Sequence, residues 1–263
     1  MTSAGAPLVS VVVPSIGTTG LVHGTERTFV VEAVRSVIET AGVPIEVIVV
    51  AGREMPAEIS AVLMGLGPVR IVPYDAEFNF SATINLGAAH ASGRYLLLLN
   101  DDTEVVSSDW LEQMLDAATG LDVGAVGARL LFEDGTLQHA GHTYRTSQDH
   151  IGFGFPAARP GRTGLLAHRR EVLGVPAACL RTPMAVFDAV GGLCTQFPGN
   201  YNDVDYCMKV RFAGWHVVYE PAAVLHHYES RSRVAGIRPE EIELIQRRWG
   251  TALADDPFTP VTV

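Results

Sequence analysis

Cysteine, positive charge and long apolar runs are all scarce in this chain, and each shortage removes a class of function. There are three cysteines, Cys179, Cys194 and Cys207, and no CxxC pair. An odd number without paired spacing indicates neither a disulfide framework nor a cysteine zinc site, so reduced thiols are expected. Lysine and arginine together number 19 against 29 Asp plus Glu, a formal net charge of -10. A nucleic-acid surface needs a basic patch, so no nucleic-acid partner is expected, nor tight electrostatic binding to anionic lipid. No apolar run approaches the roughly 20 residues of a membrane span. Met1 to Pro7 lack the basic region and apolar core of a secretory signal. The expected location is cytoplasmic, with peripheral contact at the inner face of a membrane left open. The glycines form neither GxGxxG nor a P-loop, which counts against dehydrogenases and kinases.

What is present is a chain of 263 residues, 48% hydrophobic and 18% charged, enough for one substantial core. A single domain over 1–263 is the expectation. The first half alternates strand and helix signals. Leu8 to Val13, Ile45 to Val50, Val69 to Val72, Tyr95 to Leu99 and Val123 to Ala128 read as strands. Arg27 to Thr40, Pro56 to Leu66, Asn79 to Ser92 and Asp109 to Ala118 read as helices, and Ser15 to Gly24 as a loop. This alternation predicts an α/β fold with a Rossmann-like, mostly parallel central sheet and helices on both faces. The second half is less regular. Glu133-Asp134-Gly135 signals a hairpin turn within Arg129 to Tyr144. Val186 to Val190, Asp203 to Ala213 and Pro239 to Arg248 read as helices, and His216 to Tyr219 as a strand. Residues 145–170, rich in Gly, Pro, Arg and His, read as a long loop suited to a lid.

Three constellations offer chemistry. Tyr95 to Leu99 is a fully apolar strand that ends in Asn100-Asp101-Asp102. Ligands bind outside the carboxyl ends of strands in open α/β sheets. Two adjacent carboxylates there suit magnesium or manganese, with Asp102 as ligand and Asn100 or Asp101 at a nucleotide's sugar. The same triplet also suits an ordinary strand-to-helix turn. The second constellation is Tyr201-Asn202-Asp203-Val204-Asp205. Asp203 can act as a general base, while Asn202 can simply cap a helix that favours acids in its first turn. The third is Leu225-His226-His227, followed by Arg231 and Arg233. In a strand the two histidines face opposite ways, so one of them at most reaches a given metal. The arginines can meet phosphate or solvent.

Taken together, the chain resembles family 2 glycosyltransferases of the GT-A fold, in their rhamnosyltransferase-like bacterial branch. The resemblance runs from Val9 to Pro257. It is carried by VSVVVP (Val9 to Pro14), FNFSATINLGAAHASGRYLLLLNDDTEV (Phe78 to Val105), VGAVGARLLFEDGTLQHAG (Val123 to Gly141), VFDAVGG (Val186 to Gly192) and NDVDYCMKVRFAGWHVVYEPAAVLHHYESRSR (Asn202 to Arg233), then RRWG (Arg247 to Gly250). It implies inverting transfer of a sugar from a nucleotide-diphosphate donor, UDP- or dTDP-linked, to a hydroxyl of a glycan, a lipid-linked or a small-molecule acceptor, with Mn2+ or Mg2+ as cofactor. The donor half would be 1–128 and the acceptor and base half 129–263. By the resemblance, Pro14, Asn100, Asp101, Asp102 and Arg233 meet the donor, Asp102 and His227 the metal, and Asp203 is the base. His226, Asp205, Ser81 and His139 are further candidates, and Gln138-His139 matches a cleft-lining segment. Three positions depart from the pattern. Ala51, followed by Gly52, stands where an Asp usually follows the second strand. Pro176-Ala177-Ala178-Cys179 stands in place of TGAC, and Phe258-Thr259-Pro260 follows Asp256-Pro257. A catalytically silent nucleotide-sugar-binding protein is the competing reading, and a sugar-phosphate nucleotidyltransferase a more distant one, since Ser15 to Gly24 holds no basic residue.

Overall fold

The structure is a computed structural model, and it describes residues 6–118, 122–144, 150–161, 164–228 and 236–258. In chain order the elements begin with β1 (Val9–Ser15), β2 (Thr19–Val22), β3 (Thr25–Thr28), α1 (Phe29–Thr40), β4 (Ile45–Gly52), α2 (Ala57–Met64) and β5 (Val69–Tyr74). Next come α3 (Phe80–Ala89), β6 (Tyr95–Leu99), β7 (Thr103–Val105), α4 (Trp110–Asp116), β8 (Val123–Leu131) and β9 (Leu137–His139). The remainder is β10 (Arg170–Glu171), β11 (Cys179–Pro183), α5 (Met184–Ala189), α6 (Asn202–Phe212), β12 (His216–His227) and α7 (Pro239–Ala254).

One sheet runs through both halves of the chain in the order β10-β12-β8-β11-β6-β1-β4-β5. The α/β architecture is as expected, but the sheet is mixed. β1 pairs in parallel with β4 and β6, β4 with β5, and β12 with β8. Between β6 and β8 lies β11, antiparallel to both. A chain that alternates strand and helix continues parallel only while each strand returns through a crossover. β11 breaks that rule, because it reaches the sheet from an irregular segment rather than through a crossover helix.

Alternate residues of each strand feed opposite faces. Val9, Val11 and Val13 of β1 with Leu97 and Leu99 of β6 pack against α1, α2 and α4 through Val34, Leu63 and Trp110. Val12, Leu96 and Leu98 pack on the other side against Ile84, Phe187, Tyr206 and Val210 of α3, α5 and α6. This double coverage explains the unbroken apolar run in β6.

Several local outcomes differ from the sequence reading. Pro14 does not stop β1, which runs on to Ser15. The loop expected at Ser15 to Gly24 contains β2, which forms an antiparallel hairpin with β3. His216 to Tyr219 is only the start of β12, which continues for 12 residues past an irregularity between Glu220 and Val224. Asn202 is the first residue of α6 rather than its cap. The cap position is Tyr201, held at φ 57. A left-handed backbone at a bulky residue is uncommon and collects at functional sites. Asn79 does cap α3, its side chain accepting from the Ala82 N–H at 3.0 Å.

Candidate active site

β1 and β6 run in parallel and open at their carboxyl ends into a cavity of about 560 Å³. Pro14 and Ser15 line it from β1, and Asn100, Asp101 and Asp102 from the end of β6. Pro176 to Ala178 lead into β11 and form a second wall, Tyr201 to Val204 at the start of α6 a third, and His227 closes it from the end of β12. Residues 125 positions apart in sequence meet here because β7, which follows the acidic turn, pairs with β12, putting Thr103 opposite His227.

The two carboxylates of the turn have different partners. Asp101 Oδ2 accepts from the Ser15 hydroxyl at 2.7 Å, which ties the turn to β1. Asp102 Oδ1 lies 3.2 Å from His227 Nε2, and its side chain is 3% exposed. Asn100 Nδ2 stands 3.1 Å from the same ring nitrogen. The backbone is fixed around them. Asn100 N–H donates to the Ala178 carbonyl at 3.1 Å, and Tyr228 N–H to the Asp102 carbonyl at 2.9 Å. His226 faces the other way, with Nδ1 3.0 Å from the Phe132 carbonyl and its ring stacked on Tyr228. A buried carboxylate beside an imidazole nitrogen is a mixed oxygen and nitrogen donor set that could hold a divalent metal ion.

Asp203 opens onto the same cavity from the first turn of α6. Its Oδ1 accepts from the Val204 N–H at 2.8 Å and its Oδ2 from the Ala177 N–H at 3.2 Å. Burial pushes its carboxyl above the usual aspartate range, while those N–H groups and nearby His150 pull it back part of the way. A raised pKa makes a carboxylate a stronger base as long as it stays ionised.

The other candidates fall away from the cavity lining. Asp205 is fully buried, taking the Trp249 indole N–H at 2.8 Å and Arg248 at 3.1 Å, so it fastens α7 to α6. The Ser81 hydroxyl donates to the Phe197 carbonyl at 2.7 Å. Gln138 and His139 stand one layer behind the wall rather than on it. Arg233 lies outside the described residues, as do parts of the expected lid at 145–149 and 162–163.

Sequence reasoning missed several wall residues: Glu54, Tyr144, Asn200, Ile237 and the pair His142 and His150. The density of His and aromatic residues between Gln138 and Phe155 was the available signal. His139, His142 and His150 place one ring nitrogen each within 4.8 Å of one another. Gly141 N–H donates to His139 Nε2 at 2.9 Å, so the neutral ring carries its proton on Nδ1. That proton points at Nδ1 of His150, 2.8 Å away. A hydrogen bond therefore links two of the three rings. Burial and the neighbouring histidines hold His139 well below its ordinary pKa, and burial lowers His142 to about 4, so both are neutral at pH 7.

Among solved structures, the chain is similar to GalNAc-T7 with UDP, GalNAc and Mn2+ (TM-score 0.68, 13% identity, 95% of this chain and 50% of that one). It is also similar to the mannosyltransferase PcManGT of Pyrobaculum calidifontis in complex with GDP-Man and Mn2+ (TM-score 0.60, 15% identity, 95% and 65%). At such identities the likeness establishes the fold, that of GT-A glycosyltransferases. The chain is 35% identical over 246 residues to the O-antigen biosynthesis protein RfbC of Myxococcus xanthus, covering 90% of this chain and 18% of that protein. It spans about a fifth of the length of the curated relatives it matches. The profile of glycosyl transferase family 2 matches residues 10–171, more than half of the chain. With that match and that relative, the chain belongs to glycosyl transferase family 2.

Proposed function

We propose that the chain is an inverting, divalent-cation-dependent glycosyltransferase that moves a sugar from a UDP- or dTDP-linked donor to an acceptor hydroxyl. Its setting would be polysaccharide or glycoconjugate synthesis. The observation that carries this reading is the meeting of Asp102, His227 and Asp203 around one cavity, with Asp102 and His227 3.2 Å apart. Residues 1–128 supply most of the donor side, and 129–263 the base and the acceptor walls. A bound Mn2+ or Mg2+ would offset the charge of the leaving diphosphate, and Asp102 and His227 are the residues that would hold it. Asn100 and Pro14 border the donor, and Asp101 keeps the turn against Ser15. Asp203 accepts the proton of the acceptor hydroxyl at its carboxylate. Attack then comes from the face of the sugar opposite the departing diphosphate, which inverts the anomeric carbon. Phe78, Tyr144 and Tyr201 give this cleft apolar walls against which a sugar ring can stack. Among the described residues no helix is long and apolar enough to cross a membrane.

A thermal-shift screen of UDP-, dTDP- and GDP-linked sugars with and without manganese tests this reading. A ligand present at 100 times its Kd stabilises the native state by about 2.7 kcal/mol. A manganese-dependent rise in Tm with a pyrimidine-nucleotide sugar is the expected result. The absence of any such rise across the panel would count against the assignment.

A further inference from the structure

His227 is gripped from behind. Gln138, at the centre of β9, is 4% exposed, and its Oε1 lies 2.7 Å from His227 Nδ1. Its Nε2 donates to the His227 backbone carbonyl at 3.4 Å. The amide thus clasps one residue at two points, and this settles its orientation. Reversed, it would aim its oxygen at the carbonyl oxygen and its NH2 at the ring. With an acceptor at Nδ1, that nitrogen carries the ring proton and Nε2 carries the lone pair. Asn100 supports the same assignment from the front, since its Nδ2 at 3.1 Å donates to an Nε2 lone pair. The clasp aims Nε2 into the cleft, 3.1 Å from Asn100 Nδ2 and 3.2 Å from Asp102 Oδ1, so a ring nitrogen and a carboxylate oxygen stand side by side. A divalent cation held there would take both atoms as ligands, with Asn100 giving up its contact to Nε2.

We propose that Gln138 is a positioning residue: it takes the Nδ1 proton of His227 and so holds the Nε2 lone pair toward Asp102 as half of a divalent-cation site. This rests on the cation reading given above. Gln138 touches neither the cation nor the substrate. Its effect passes through the tautomer and ring angle of His227, the usual way in which groups behind a metal ligand act.

The test uses the whole chain, as wild type and as Gln138→Leu and Gln138→Glu. Titration calorimetry with MnCl2 gives cation affinity, and 15N NMR of histidine-labelled protein without metal gives the His227 tautomer. Circular dichroism checks folding. The wild type is expected to show the proton on Nδ1 and to bind Mn2+. Gln138→Leu should weaken Mn2+ binding by about 10- to 100-fold and release the tautomer. Gln138→Glu keeps an acceptor at Nδ1 and should restore the tautomer and most of the affinity. A folded Gln138→Leu that binds Mn2+ like the wild type overturns the inference, as does a wild-type proton on Nε2. A folded Gln138→Glu as impaired as Gln138→Leu reduces Gln138 to a packing role. A wild type that takes up no Mn2+ overturns the cation reading itself.

Discussion

Replacing Asp203 with asparagine separates chemistry from folding in this cleft. The carboxylate accepts two backbone N–H groups, from Val204 at 2.8 Å and Ala177 at 3.2 Å. Asparagine keeps one oxygen, which the shorter Val204 contact should retain. Its NH2 then faces the Ala177 N–H, a mismatch that costs about 1–3 kcal/mol. Against this, the native carboxyl has a raised pKa. A raised carboxyl pKa means that the folded state favours the neutral form. That stability is present below the unfolded pKa and is lost as pH rises through the folded one, so the ionised group is a burden at pH 7. Asparagine removes this burden. The two effects oppose, and the melting temperature should move by only a few degrees. Catalysis has no such compensation. Loss of a general base costs about 100- to 10,000-fold, equivalent to about 2.7–5.4 kcal/mol of barrier. The assay measures transfer to acceptor and, in parallel, donor affinity by calorimetry. Donor affinity should stay within a few-fold while transfer collapses. The acid limb of the wild-type kcat/KM profile should fall above the ordinary aspartate range, because the base works only when ionised, and that limb should vanish in the variant. Transfer by Asp203→Asn within tenfold of wild type would refute the assignment of the base.

Two further substitutions probe other parts of the site. Asp102→Ala should abolish the manganese dependence of donor binding in calorimetry while the fold persists. Unchanged manganese dependence would remove Asp102 from the cation site. Asp205→Ala removes the acceptor of the Trp249 indole N–H and the partner of Arg248, whose side chain is 31% exposed and can turn to solvent, so it should cost about 1–3 kcal/mol in denaturant unfolding, the scale for a buried hydrogen-bonding group left without its partner. Donor affinity in the surviving folded fraction should be near that of the wild type.

The parts of the fold legible in the sequence were those where burial is two-sided or where a local signal stands alone. Tyr95 to Leu99 has the predicted limits because nothing but a central strand accommodates five apolar residues followed at once by two acids. The Glu133-Asp134-Gly135 turn joins β8 to β9 as expected, with Gly135 at φ 79. β11 gave no comparable signal. Its interior holds Arg181 and Thr182, both fully buried, whose hydrogen bonds go to partners far away in sequence, the Met114 carbonyl and the Gly124 carbonyl. Polar residues that depend on distant partners look like surface to any local rule. At the site, Asp102, Asp203 and His227 were named from the family resemblance, and the structure brings all three to one cavity. The place of His142 and His150 in the wall could not be read, since no local pattern marks which rings reach it. Asp205 was misread for the same reason. Two residues on from Asp203, about 200° round α6, the carboxylate of Asp205 faces α7 instead of the cleft.

The hydrogen bond from Asn100 N–H to the Ala178 carbonyl joins the donor turn to the wall that enters β11. β11 is locked residue by residue against β6. These two sides of the pocket therefore behave as a single casting: a change that moves one displaces the other. Diversification toward new acceptors should accordingly accumulate outside these two walls, leaving the cast portion invariant in shape.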